Sequence, residues 1–387
     1  MINILTVIGA RPQIIKAAAI SRAIRTHYSQ QVCEHILHTG QHYDEQMSDV
    51  FFHELNIPVP EINLHVGSDS HGAQTSRMID GIEQVLLTDG KKYDGVIVYG
   101  DTNSTLAAAI AAGKLHVPVF HIEAGLRSFD MSMPEEINRI VCDQLSSILF
   151  TPTLTGMKNL EAEGFAKDGI KSRVRFANGR GQRVILSGDV MYDNALFFSK
   201  LAVNRSTILQ QNGLQPKAFV LATIHRPANT DVPANMQEIF RALLDIAEKK
   251  EMDVVLPLHP RTRKLIAVGL SETMLRRIEQ CSRLHLMSPV SFLDMISLEK
   301  NAAIVLTDSG GVQKEAFFYR TPCIILRSET EWTEIVEAGA GIIAGADYER
   351  ILAAYKQLLH KQLASPTLFG DGQASEKIVK EIIDYCE

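Results

Sequence analysis

The feature that most constrains this chain is a series of short, continuously apolar segments separated by longer stretches of helical period, a pattern that stops and then starts again. In the first half the apolar segments are INILTVI (2–8), VCEHILHT (32–39), GVIVYG (95–100), VPVFHI (117–122) and RVILSG (183–188). Segments of helical character follow, one beginning at Pro12 and another near Asp44 to Leu55. Strands that are apolar throughout, rather than at alternate positions, are buried on both faces, as in a parallel sheet covered by helices on each side. The second half repeats this with AFVLATI (218–224), DVVLPL (253–258), LHLM (284–287), AAIVLTD (302–308) and PCIILR (322–327). Between the halves, 189–217 joins a helix-like stretch to the polar NRSTILQQNGLQPK, where a domain boundary belongs.

The expected fold class is α/β, with two Rossmann-like, doubly wound domains facing a central cleft. We divide the chain into a first domain over 1–190, a second over 191–371 and a crossover helix over 372–387. The amphipathic EKIVKEIIDY (376–385) is expected to pack back on the first domain. In open α/β sheets ligands bind at the carboxyl ends of the strands, so both sheets would present those ends to the cleft.

Composition narrows the function classes. A chain of 387 residues is too long for one ordinary core. With 45% apolar and 22% charged residues and a net charge of -6 it reads as a soluble, mildly acidic protein, without the basic footprint of a nucleic-acid or anionic-membrane partner. The N-terminal apolar run is too short for a signal peptide, and a cytoplasmic location is expected. Cys33, Cys142, Cys281, Cys323 and Cys386 are odd in number and form no CxxC pair, which suits reduced thiols. No HExxH, GxSxG or GKS/T motif occurs, and His38 and His42 in HTGQH lack a clear third ligand, so no metal is expected.

Four motifs carry the chemistry. GARPQIIK (9–16) turns from the first strand into a helix with Pro12 in its first turn; free N–H groups with Arg11 and Lys16 suit a phosphate, and equally suit a solvated helix start. GDTNST holds Asp101, and HIEAGLRS holds His121, Glu123 and Arg127, both at strand ends; MPEEINR follows with Glu135, Glu136 and Arg139. Asp101 reads either as a helix N-cap or as a catalytic carboxylate. Acidic residues in a first helical turn complement the dipole without further purpose. Yet Asp101, Glu123 and Glu135 come from three connections on one expected sheet edge, and crowded carboxylates raise one another's pKa, fitting one to donate a proton and another to accept it.

The third motif, TIHRPAN, places His225 and Arg226 at the first strand end of the second half, while HPRTRK adds His259, Arg261 and Arg263. A lone strand-end histidine is more often structural, but this one lies opposite the carboxylate loops in the expected arrangement. In the fourth, TDSGGVQKEAFF, Ser309, Gly310 and Gly311 allow close backbone approach to an oxyanion at a helix N-terminus. Glu315, a turn further on, is placed to accept ribose hydroxyls.

Together GARPQIIK, HTGQH, GDTNST, HIEAGLRS, MPEEINR, the His225-Arg226 pair and DSGGVQKEA followed by ETEW give a chain that resembles the non-hydrolysing UDP-N-acetylglucosamine 2-epimerases over nearly its whole length. HTGQHYDEQMS, VFFHEL, ATIHRPANT, LPLHPRTRK and FGDGQAS look most like the branch acting on UDP-2,3-diacetamido-2,3-dideoxy-glucuronate. The resemblance implies a GT-B-like homodimer, a UDP-sugar substrate, no cofactor, and inversion at sugar C2 by elimination of UDP to a 2-acetamidoglycal and re-addition, in the supply of surface polysaccharide precursors. It assigns Asp101, Glu123, Glu135 and His225 to catalysis. Arg11, Lys16, Arg139 and Arg226 become charge partners of the substrate, Ser309, Gly310 and Gly311 the UDP-phosphate turn, and Glu315 the ribose acceptor.

Three departures stand out from the family pattern. Gln13 occupies a position where Glu is common, Tyr43-Asp44-Glu45 follow Gln41-His42 where a basic residue is frequent, and Pro227-Ala228 replace an Arg-Glu pair. The second of these lies in a region that binds an activating UDP-N-acetylglucosamine in some members, and that regulation is not carried over. Three rival readings share the architecture: a UDP-sugar glycosyltransferase, a hydrolysing epimerase and a nucleotide-sugar sensor. The carboxylate motifs argue against the first, and the intact charged set against the last.

Overall fold

The computed structural model describes residues 1–41, 59–88, 90–165, 176–258, 260–363 and 367–387. The helix expected near Asp44 to Leu55, together with His42, Tyr43, Glu45 and His259, lies outside them, and the side chain of Arg261 is likewise not described. The chain forms two compact units, Met1–Asn194 with Thr367–Glu387, and Ala195–Pro366.

The first unit is built on a seven-stranded parallel sheet, β1 (Ile2–Ile8), β2 (Val32–His38), β3 (Ile62–Asn63), β4 (Gly95–Tyr99), β5 (Val119–Ile122), β6 (Ile148–Thr151) and β7 (Arg183–Leu186), in the order β3-β2-β1-β4-β5-β6-β7. Every residue of β4, β5 and β6 is buried, as continuous apolar runs require when helices cover both faces. Strand order reverses at β1, with β2 and β3 on one side and β4 to β7 on the other. The carboxyl ends of β1 and β4 therefore flank the topological switch point, where open α/β sheets hold their ligands.

The helix over Asn103–Lys114 follows β4 and is rich in alanine, the best helix former. Its buried Ala107, Ala108, Ala111 and Ala112 let it lie close to β4 and to the His71–Thr88 helix, in a core shared with Val7, Met78 and Val96. The last helix, Ala374–Cys386, belongs to this unit and packs Ile378, Val379, Ile382 and Ile383 inward. Its start is held by buried Asp193, whose carboxylate accepts from the Ala374 N–H (3.1 Å) and from both the N–H (2.7 Å) and hydroxyl (2.6 Å) of Ser375.

The second unit repeats the plan with β8 (Phe219–Thr223), β9 (Asp253–Pro257), β10 (Leu284–Met287), β11 (Ile304–Thr307), β12 (Cys323–Ile325) and β13 (Gly341–Ile343), in the order β10-β9-β8-β11-β12-β13 and again all parallel. Separate apolar clusters, one centred on Phe240 and Leu243 and one on Phe219 and Val305, cover its two faces. Here order reverses between β8 and β11, whose carboxyl ends carry His225 and Ser309. Among the described residues no helix is long and apolar enough to cross a membrane.

Candidate active site

In the first unit the turns after β1, β4 and β5 are joined by side chains rather than left as open loops. Buried Gln13, in the first turn of the Arg11–Ala23 helix, accepts with Oε1 from the N–H groups of Gly9 (2.8 Å) and Ala10 (3.1 Å). Its Nε2 donates to the Tyr99 carbonyl (2.9 Å) and the Thr105 hydroxyl (2.9 Å), so one amide ties the turn after β1 to the turn after β4. A carboxylate could make the first two bonds but has no proton for the last two, which explains a glutamine here.

The stretch GDTNST divides its labour. Thr102 caps the helix over Asn103–Lys114, its side chain accepting from the Thr105 N–H. Asp101 is thereby released from capping, and its Oδ2 accepts from Arg139 Nη2 at 2.5 Å. Arg139 also bonds Glu136 at 2.9 Å. Glu136, buried, accepts from the N–H groups of Ser128 (3.0 Å) and Phe129 (2.9 Å) and so holds the loop after β5. Burial alone would raise the Glu136 pKa; the Ser128 N–H, Arg139 and the Phe129 N–H outweigh it and hold it below the usual range.

Glu123 stands at the end of β5 with φ of 71°, the left-handed region that a side-chain-bearing residue enters only when its surroundings impose it. Both its N–H and that of Ala124 donate to the Phe150 carbonyl of β6, fixing the turn. Its Oε1 accepts from buried Lys16 Nζ at 2.7 Å. Gly100, at φ 63°, faces this pair: a Cβ there would lie 3.2 Å from Lys16 Nζ and 3.6 Å from Glu123 Oε1. The switch point thus gathers Lys16, Asp101, Glu123 and Arg139, two carboxylates each bonded to a cation. Glu135 does not join them; it is exposed on the first turn of the Pro134–Leu145 helix, and Arg11 is exposed at the start of its own.

In the second unit Asp308, wholly buried at the end of β11, organises the loop after β8. Its carboxylate accepts from the N–H groups of His225 (3.1 Å) and Arg226 (3.0 Å) and from Asn229 Nδ2 (3.0 Å), and it lies 3.2 Å from His225 Nδ1. The imidazole is half exposed, with Nδ1 engaged by the buried carboxylate. Ser309 caps the Gly310–Phe318 helix. A Cβ on Gly310 would fall 2.1 Å from Glu331 Oε1, so glycine leaves room for that carboxylate, which Arg327 holds at 2.6 Å. Lys314 Nζ lies 4.2 Å from the centroid of the Trp332 ring beside this turn. Glu315, on the same helix, is partly buried.

A family model described as UDP-N-acetylglucosamine 2-epimerase matches residues 24–383. The chain belongs to the UDP-N-acetylglucosamine 2-epimerase family. Within it, the chain is 46% identical to the UDP-2,3-diacetamido-2,3-dideoxy-D-glucuronate 2-epimerase of Pseudomonas aeruginosa, and 45% identical to a UDP-N-acetylglucosamine 2-epimerase homolog of Methanococcus maripaludis, each over 98% of both chains. The crystal structure of the Methanocaldococcus jannaschii UDP-GlcNAc 2-epimerase in complex with UDP-GlcNAc and UDP superposes with a TM-score of 0.80 at 38% identity, covering 99% of this chain and 100% of that one.

For a member of the epimerase family, the motifs marked the turns but not the residues that set them. Asp308 and Asp143 each place a buried carboxylate against the backbone of a loop distant in sequence, and Glu136 does the same for the loop seven and eight residues before it. Their signal was present, as acidic residues at a strand end or in a helix otherwise apolar on its inner side, but acidic residues in those places also serve as caps and dipole partners.

Proposed function

We propose that this chain is a non-hydrolysing 2-epimerase of a UDP-N-acetyl-hexosamine, of the type that interconverts UDP-N-acetylglucosamine and UDP-N-acetylmannosamine. The observation that carries the reading is family membership over nearly the whole chain together with two cation-paired carboxylates, Asp101 and Glu123, on adjacent strand ends.

The C2 proton of a glycosyl nucleotide is not beside a carbonyl. It becomes removable as the C1–O bond to UDP breaks and positive charge grows at the anomeric carbon. A carboxylate takes the C2 proton, UDP leaves with the bonding pair, and a 2-acetamidoglycal remains; UDP then adds back to C1 while a proton reaches C2 from the other face. Two carboxylates suit such a reaction, since a general base works from its charged form and a general acid from its protonated one. In this reading Asp101 and Glu123 share the proton transfers, and Lys16, Arg11, Arg139 and Arg226 offset the charge of the diphosphate. The turn of Ser309, Gly310 and Gly311 receives the phosphates, Glu315 the ribose and His225, oriented by Asp308, the departing UDP. The cytoplasmic location expected from the sequence belongs to the same proposal.

A second substrate is favoured by one observation, the 46% identity to the Pseudomonas aeruginosa diacetamido-glucuronate enzyme. The test is incubation in deuterated water with UDP-N-acetylglucosamine and, separately, UDP-2,3-diacetamido-2,3-dideoxy-glucuronate, followed by proton NMR at C2. Deuterium at C2 of a UDP-linked manno product supports the proposal, and the faster substrate decides the branch. Free UDP with a free sugar overturns it in favour of hydrolysis, and absence of exchange on both removes it.

A further inference from the structure

His121 is wholly buried in β5, two residues before Glu123, and both of its ring nitrogens face acceptors. Nδ1 lies 2.7 Å from Asp143 Oδ1, and Nε2 lies 2.8 Å from the carbonyl oxygen of Gly100. A carbonyl oxygen has no proton to give, so Nε2 must donate. The other oxygen of Asp143 accepts from Arg127 Nη2 at 2.8 Å and from the Gly125 N–H at 3.2 Å; in ion pair with Arg127, Asp143 is a carboxylate that can only accept, so Nδ1 donates as well. A neutral ring carries one N–H; satisfying both contacts takes the imidazolium.

The charges around it balance. The Pro134–Leu145 helix contributes Asp143 and Cys142, the loop after β5 contributes Arg127, whose side chain is out of solvent, and Arg127 is bonded in turn to Glu163 at 2.6 Å. The flanking strands offer Val98 and Leu149, which carry no charge. Two cations thus face two carboxylates in a closed chain. Burial opposes the imidazolium, but the Cys142 sulfur and the Asp143 carboxylate outweigh it and lift His121 well above the ordinary histidine range.

Each end of this chain reaches one of the two carboxylate loops. Gly100 immediately precedes Asp101, and Gly125 closes the turn that begins at Glu123. We propose that His121 is a permanently protonated positioning residue, whose two N–H groups lock the Asp101 turn to the Glu123 turn through Gly100 and Asp143. The proposal rests on the epimerase reading for what the loops do, and on this geometry alone for the charge.

The charge is read from long-range proton–nitrogen correlation spectra of the full chain labelled at histidine, with the His121 ring assigned through its own backbone. Two protonated ring nitrogens from about pH 6 to about pH 9 are expected, whereas an ordinary imidazole loses one over that range; a neutral tautomer at neutral pH overturns the proposal. Positioning is read from His121→Gln, which can still donate to Gly100 but carries no charge. Its kcat for C2 exchange should fall about 100-fold, the scale of a small misplacement of reacting groups, with KM and UDP affinity unchanged within about twofold. A folded variant with wild-type kcat overturns it, and should the variant not fold, the wild-type spectrum still decides. If the wild-type chain gives no C2 exchange at all, the epimerase reading fails separately. The spectrum then decides the charge, and backbone amide shifts of Asp101 and Glu123 in His121→Gln, expected to move, decide the positioning.

Discussion

At the scale of single residues, the question raised by GDTNST resolves into two neighbours with different tasks. Thr102 holds the helix and Asp101 holds Arg139, so the two substitutions should separate. Asp101→Asn should leave the unfolding midpoint close to wild type and lower C2 exchange by about 100-fold or more, the range for a lost acid–base group. Thr102→Ala should cost about 1 kcal/mol of stability by urea denaturation and leave turnover within a fewfold. Matching losses of stability in both variants would mean that Asp101 serves the fold. His38 offers a second single-residue prediction. It is fully buried at the end of β2, its Nδ1 accepts from the Gly40 N–H at 2.9 Å, and burial, with His65 nearby, lowers its pKa from 6.5 to about 4. The folded state keeps this imidazole neutral while the unfolded chain protonates near 6.5, so its contribution is fully present above that value and is lost as pH falls toward 4. The loss should approach about 3 kcal/mol, at 1.36 kcal/mol per pH unit. Urea denaturation across that window should show the fall, and His38→Asn should flatten it; an unchanged slope in the variant would place the effect elsewhere.

At the scale of elements, the strand-to-helix turns are knitted together, and Gln13 is the clearest stitch. Gln13→Glu should keep the bonds to Gly9 and Ala10 but set a carboxylate against the Tyr99 carbonyl, costing about 1–3 kcal/mol for the broken buried pairing. Thermal unfolding of the variant checks this, and an unchanged midpoint would mean that the turns hold without the amide. How much of this was legible follows from the size of each signal. Ten strands announced themselves as apolar runs between helices, and the two-fold restart gave the fold class. β6 is the interior strand that the apolar runs do not reveal: ILFT is four residues long and follows its helix after only Ser146 and Ser147, so no turn signal frames it. β3 and β13, of two and three residues, are too short for any period to register. Site turns were visible because glycine, proline and charge cluster there. The roles of buried His121, Asp143 and Asp308 do not show in the sequence because their hydrogen bonds join segments far apart in the chain, and that of Glu136 does not because an acidic residue in a first helical turn already serves the dipole.

At the scale of the molecule, the chain keeps two independent sheets and cores, and the proposed chemistry divides between them: proton-transfer carboxylates on the first, the phosphate turn on the second. A ligand stabilises the state that binds it by RT ln(1 + [L]/Kd), about 2.7 kcal/mol at a hundredfold excess over Kd. For a unit of this size that is about 5–10 °C in midpoint. UDP should therefore raise the unfolding transition of the unit spanning Ala195–Pro366, and the two units need not melt together. Asp101→Asn should retain this rise in full, because the substituted carboxylate transfers a proton in the proposed reaction and is not itself a phosphate contact. Gly310→Ala should lose about half of it, since the new Cβ fills the space beside the turn where Glu331 now lies, and a tenfold weaker Kd removes about 1.4 kcal/mol of the stabilisation. Gly310→Ala should still show the unliganded transitions of the wild type, because the atom met first by the added Cβ is the far end of a side chain and not backbone. Scanning calorimetry of the three proteins with and without UDP distinguishes the cases. A full UDP shift in Gly310→Ala would remove the phosphate from this turn, and a lost shift in Asp101→Asn would mean that this carboxylate holds Arg139 for the diphosphate rather than serving proton transfer alone.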